Sequence, residues 1–108
     1  MKLRLEDNTL RLRLDEAEVA AFRQQGRLET VVPLGLTAAD SLTYTLERDP
    51  TVLALAVRHE AGRVRVLVPA TVADGWASSE TISLRGTQEV ADNQVVHILV
   101  EKDLGCKH

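Results

Sequence analysis

The chain opens with MKLRLEDNTLRLRL (residues 1–14), in which Leu3, Leu5, Leu10, Leu12 and Leu14 alternate with Lys2, Arg4, Arg11 and Arg13. A period of two marks a strand with one apolar face. Glu6-Asp7-Asn8-Thr9 supplies the turn. A two-residue loop at Asp7-Asn8 pairs Leu5 with Leu10, Arg4 with Arg11 and Leu3 with Leu12, and a four-residue loop gives the same register. A three-residue loop would set Glu6 against Leu10 and mix the faces, so the hairpin has one consistent register. It predicts leucines pointing inward and four cations projecting together from the other side.

The next segment, 15–26, predicts a short helix. Asp15 stands as N-cap with Glu18 three residues on, a capping-box pattern, and Leu14 and Val19 take the two places of a hydrophobic staple. Glu16 and Glu18 lie at the positive end of the helix dipole. Gly26 is placed to end the helix in a left-handed conformation. Val19 and Phe22 form the buried stripe.

Beyond it, strands are expected at 27–34, an edge strand limited by Pro33 and Gly35, and at 41–48, where Leu42, Tyr44 and Leu46 share a face. Residues 51–58 and 63–68 predict a hairpin with Val57 opposite Val64, Leu55 opposite Val66 and Leu53 opposite Val68. The apolar run 52–57 suggests a central strand. Pro69 opens a short helix through Trp76, with Val72 and Trp76 sharing a face. A strand at 81–85, a polar loop at 86–93 and a last strand at 94–101, buried on both faces, complete the chain. The fold class is α+β, mainly antiparallel β in a small barrel or sandwich, in the order β-β-α-β-β-β-β-α-β-β. No internal repeat and no linker is evident, so residues 1–108 are expected to form one domain.

Bulk composition narrows the function classes. The 108 residues are 44% hydrophobic, 27% charged and 3% aromatic, with net charge −3. These values weigh against disorder and against nucleic-acid binding, which calls for a basic excess or several stacking aromatics. The single cysteine permits no intrachain disulfide. No window reaches the ~20 apolar residues of a membrane span, and the amino terminus lacks a signal-peptide core, so a cytoplasmic location is expected.

Four places could carry chemistry. Lys2, Arg4, Arg11 and Arg13 set like charges across the opening hairpin, a costly arrangement unless solvent or a counter-charge relieves it. They would suit an anion or an acidic partner, although a solvated face is the ordinary reading. The tail offers Cys106 and His108, a thiolate and an imidazole that suit zinc or another divalent metal, with Asp103 or His59 as further ligands. Two ligands alone are too few. His97, inside an apolar run, could serve as an acid–base residue, though such histidines more often sit hydrogen-bonded at a core edge. Trp76 could line a pocket, but its spacing favours a core plug. Phosphate-loop, dinucleotide, zincin and nucleophile-elbow motifs are lacking.

Three stretches carry a family resemblance: LRLRLDEAEVAAF (Leu10 to Phe22), VRVLVPATVADGWASS with its V-P-x-x-x-A-x-x-W core (Val68 to Trp76), and ILVEKDLGC with its V-E-K-D-L-G-C end (Val100 to Cys106). They resemble a small family of uncharacterised bacterial proteins, a domain of unknown function whose terminal motif is V-E-K-D-F-x-C. Leu104 stands here in place of the Phe. The resemblance implies a bacterial, cytoplasmic protein and brings no catalytic residues. The expected function is a small non-enzymatic interaction or binding module that pairs with a second copy or another protein through an exposed strand. Metal binding by Cys106 and His108 is the alternative, and an enzyme using His97 a further one.

Overall fold

The opening hairpin forms in the expected register. A computed structural model describes residues 1–103, in which β1 (Lys2–Glu6) and β2 (Thr9–Leu14) pair antiparallel, Leu5 opposite Leu10 and Arg4 opposite Arg11. Leu10, Leu12 and Leu14 are buried. Leu5 is not: β1 is an edge strand that overhangs the core, and this leucine is 63% exposed.

Helix α1 (Glu16–Gln25) follows with both halves of its capping box made. Asp15 Oδ1 accepts from the Glu18 amide at 2.8 Å, and Glu18 Oε1 accepts from the Asp15 amide at 2.9 Å. Gly26 ends the helix at φ 71°, where a side chain would be strained, and donates to the Phe22 carbonyl. Edge strand β3 (Arg27–Pro33) then pairs antiparallel with β4 (Ser41–Asp49).

Several expectations for the second half are corrected. The run 52–57 is not a central strand. Residues 50–55 connect two strands, Leu53 is 99% exposed, and β5 (Ala56–Glu60) starts later, at a sheet edge. Its register with β6 (Arg63–Pro69) is two residues from the expected one: Val57 faces Val66 and His59 faces Val64. The cause is the turn. Ala61 and Gly62 both take positive φ (49° and 75°), the pattern of a two-residue hairpin loop, and Glu60 therefore still pairs with Arg63. In α2 (Ala70–Ala77), Ala73 and Trp76 are buried while Val72 is 41% exposed, so Val72 does not share the buried face. The polar stretch 86–93, expected as a loop, is mostly strand: β7 runs Ser83–Val90 and pairs antiparallel with β8 (Gln94–Lys102). An edge strand needs few apolar residues, which hides it from a periodicity test. On β8, Ile98 and Val100 are buried, but His97 is exposed.

The strands form two four-stranded sheets, β1-β2-β8-β7 and β3-β4-β6-β5, which do not close into a barrel. The class is α+β, mainly β, in the element order expected. Each sheet joins two antiparallel pairs through a parallel centre: β2 beside β8, and β4 beside β6.

This arrangement is an internal repeat, contrary to the expectation of none. Strands β1–β2, helix α1 and strands β3–β4 recur as β5–β6, α2 and β7–β8. Exchanging the halves turns one sheet order into the other. The register repeats as well, with residues 54 positions apart: Leu5↔Leu10 becomes His59↔Val64, and Thr9↔His97 becomes Arg63↔Thr43. In β7 the spacing is 56, because Ser83 faces Glu101 as Arg27 faces Glu47. Residues so related are called twins below.

Twins build one shared core. Leu12 and Val66, Leu14 and Val68, and Leu46 and Val100 are all fully buried. Phe22 and its twin Trp76 meet edge to face, ring centroids 6.2 Å apart at 66°. Beside Phe22 stands Val19, and beside Trp76 the smaller Ala73, so the larger ring goes with the smaller aliphatic neighbour. Trp76 is thus the core plug expected, its indole N–H donating to the Ile82 carbonyl at 3.0 Å.

Candidate functional site

The four cations of the opening hairpin lie beside the carboxyl-terminal end of β8. Because β8 runs parallel to β2, Glu101 and Asp103 fall on the side of the sheet that the cations occupy. Arg11 Nε lies 2.5 Å from Glu101, Lys2 and Arg13 lie 3.7 Å and 3.9 Å from Asp103, and Arg4 pairs with Glu6 at 3.0 Å. Four cations therefore meet three carboxylates of the same chain. A counter-charge does relieve the like-charge stacking, and it comes from a strand far away in sequence.

The second sheet repeats this. Arg65, the twin of Arg11, grips Glu47, the twin of Glu101, through two hydrogen bonds of 3.0 Å. Arg63 pairs with Glu29, and Arg27 with Glu29 and Glu47. The twin carboxylates are almost equally covered, Glu47 at 15% and Glu101 at 13% side-chain exposure. Hydrogen bonding to Arg65 holds the Glu47 pKa below its usual range, and hydrogen bonding to Arg11 does the same for Glu101. In return, Arg65 and Arg11 hold their protons more firmly.

The other sequence candidates are not brought together. Cys106 and His108 lie outside the described residues. Asp103, the third proposed ligand, holds Lys2 and Arg13. His59 is exposed on β5 and His97 on β8, on different sheets. Among the described residues, no three His, Cys, Asp or Glu side chains cluster to hold a metal ion. His97 lies between Thr9 and Thr87 of the neighbouring strands, in a surface depression that also includes Arg85.

One feature was missed from the residues alone. A groove of about 890 Å³ lies between α1, the carboxyl end of α2 and the start of β7, lined by Val19, Ala20, Ala77, Ile82 and Lys102 among others. Lys102 Nζ donates to the Ser79 carbonyl at 2.6 Å and sits 5.4 Å from the centre of the Trp76 ring. Burial lowers its pKa, and the field of Glu80 opposes that shift. The available signal was the set of charged identities between halves (Arg4 and Arg58, Glu6 and Glu60, Arg11 and Arg65, Glu47 and Glu101, Asp49 and Asp103), which would have aligned Lys102 with Arg48.

No helix among the described residues is long and apolar enough to cross a membrane. No curated protein and no solved structure matches the chain. A family model does, over residues 1–108: the chain belongs to a family of unknown function, DUF7009.

Proposed function

We propose that the protein is a small, non-enzymatic binding module that pairs with a second copy of itself through the open edge of β1. The observation that carries this is a difference between the two hairpin edges. On β5, the Val57 amide donates to Gln88 Oε1 at 2.8 Å and the Val57 carbonyl accepts from Gln88 Nε2 at 3.1 Å. A side chain thus caps the backbone that a further strand would use. The twin of Val57 is Leu3 on β1, and the twin of Gln88 is Val32, which has no amide to offer.

Edge pairing would also suit the side chains. Two β1 strands running antiparallel about Arg4 would set Lys2 opposite Glu6 of the second copy and Leu3 opposite Leu5, covering a leucine that is otherwise 63% exposed; the two Arg4 side chains would face one another, each paired with Glu6 of its own chain. Light scattering across a concentration series tests the reading. A dimer is expected, and Leu5→Lys should convert it to monomer with an unchanged far-UV spectrum. A wild-type protein that stays monomeric at millimolar concentration would end the proposal.

A further inference from the structure

The halves differ most in chemistry where β4 and β8 meet the helices, a place the β1 edge does not use. Near the end of β4, Arg48 binds Asp74 of α2 through two hydrogen bonds of 2.8 Å. The twin of Arg48 is Lys102, near the end of β8, and the twin of Asp74 is Ala20, on α1. The cation is kept and its carboxylate is removed. Among the described residues, Lys102 has no carboxylate at ion-pair distance. Where the second half has the Arg48–Asp74 pair, Ala20 and Lys102 line one groove together with Val19, Ala77 and Ile82.

We propose that this groove binds a small amphipathic carboxylate, whose charged end takes the place on Lys102 that Asp74 takes on Arg48, and whose apolar body lies along Val19, Ala20 and Ile82. The groove size is that of small-molecule sites, and Val19, Ala20, Ala77 and Ile82 give it an apolar wall, with Glu16, Arg23, Glu80 and Lys102 as the charged residues of the lining. The protein itself shows which group fits, since its other half fills the equivalent position with a carboxylate. Trp76 completes the site by holding the Lys102 ammonium against its ring face. Glu16 and Glu80, also in the lining, disfavour ligands with several negative charges; Arg23 is a second cation there, but Lys102 is the one whose twin, Arg48, holds a carboxylate.

Calorimetric titration with decanoate tests this, with decanol as the uncharged control. Trp76 emission serves as a local readout, since the chain has one tryptophan. Decanoate should bind saturably and at least about tenfold more tightly than decanol, the scale of one charge-assisted contact. Lys102→Met should bring decanoate down to the decanol level. Ala20→Asp, which copies the Asp74 carboxylate into the groove, should abolish decanoate binding while keeping the melting temperature at or above that of the wild type. The proposal is overturned if decanoate and decanol bind the wild type equally, if neither binds, or if Ala20→Asp takes decanoate like the wild type. The last of these remains decisive even if Lys102→Met fails to fold.

Discussion

Residues 1–54 and 55–103 share one plan and differ in how each position is finished. The first half starts α1 with a reciprocal Asp15–Glu18 cap; the second starts α2 with Pro69, which makes no side-chain cap. The first keeps Ala21 inside its helix, where the second has Gly75. The second caps its hairpin edge with Gln88 and closes the Arg48–Asp74 bridge, whereas among the described residues the first has no such side-chain cap on β1 and has Ala20 where the acid would stand. What both halves keep is the register, the buried apolar stripe and the ion pair across each parallel centre. The lesson is that pairing geometry and core volume constrain this fold, while caps and surface bridges are free to diverge, and the two proposed functional features lie where they have done so.

Substitutions can break that comparison in order of size. The largest loss is expected at the meeting of the twin rings. Trp76→Ala removes a side chain that is 2% exposed together with its edge-to-face partner contact and should cost about 3–5 kcal/mol by chemical denaturation. Trp76→Phe should cost less, and adding Ala73→Val, which copies the Val19–Phe22 pair, should recover part of that loss. If the double variant is no better than Trp76→Phe alone, the volume exchange between halves is not real.

Next comes Gly86, whose twin is Thr30. An added Cβ would stand 2.9 Å from Leu55 Cβ, in the connector between the halves, so Gly86→Ala should destabilise by about 1–3 kcal/mol. Unchanged stability would mean that Leu55 does not pack there.

The twin ion pairs give a smaller, pH-dependent effect. Glu47→Gln and Glu101→Gln should each cost on the order of 1 kcal/mol at neutral pH, and similarly to one another. Both carboxyls have folded pKa values below the unfolded one, so the unfolded chain takes up protons first. The stabilisation is present above the unfolded glutamate value of about 4.3 and is lost as pH falls through the lower folded value. The Gln variants should therefore show a shallower acid limb in a stability–pH profile, and an identical limb would remove the pairs from the stability account.

The smallest effect is a gain. Gly75 is helical, and an added Cβ would meet nothing within 4 Å, so Gly75→Ala, the residue of its twin, should raise stability by about 0.5–1 kcal/mol. A lower melting temperature would show that the glycine serves some other purpose.

Much of the fold was legible in the sequence because it rests on local signals. The alternation in 1–14, the Asp15–Glu18 cap, Gly26 and the order of elements all follow from neighbouring residues. Legibility failed where the deciding contact is remote or the signal is polar. β7 is written in polar residues and owes its existence to β8. The β5–β6 register turns on Ala61 accepting a left-handed conformation that alanine rarely adopts. The repeat is faint in the sequence because twin core positions differ in type, such as Leu with Val and Phe with Trp, so that the identities lie among charged surface residues. The basic face was legible as four cations, but not as a set of ion pairs, since Glu101 and Asp103 come from the far end of the chain. The groove at Lys102 has only one trace in the sequence, the charged identities between halves, which align Lys102 with Arg48 and Ala20 with Asp74.

The central claim is the doubled plan, and long-range backbone NOEs read it most directly. The account predicts two sets of parallel contacts, β2 with β8 and β4 with β6, with Leu12 beside Val100 and Val66 beside Leu46 at matching register. Finding one parallel pair without the other, or the two in different registers, would contradict it.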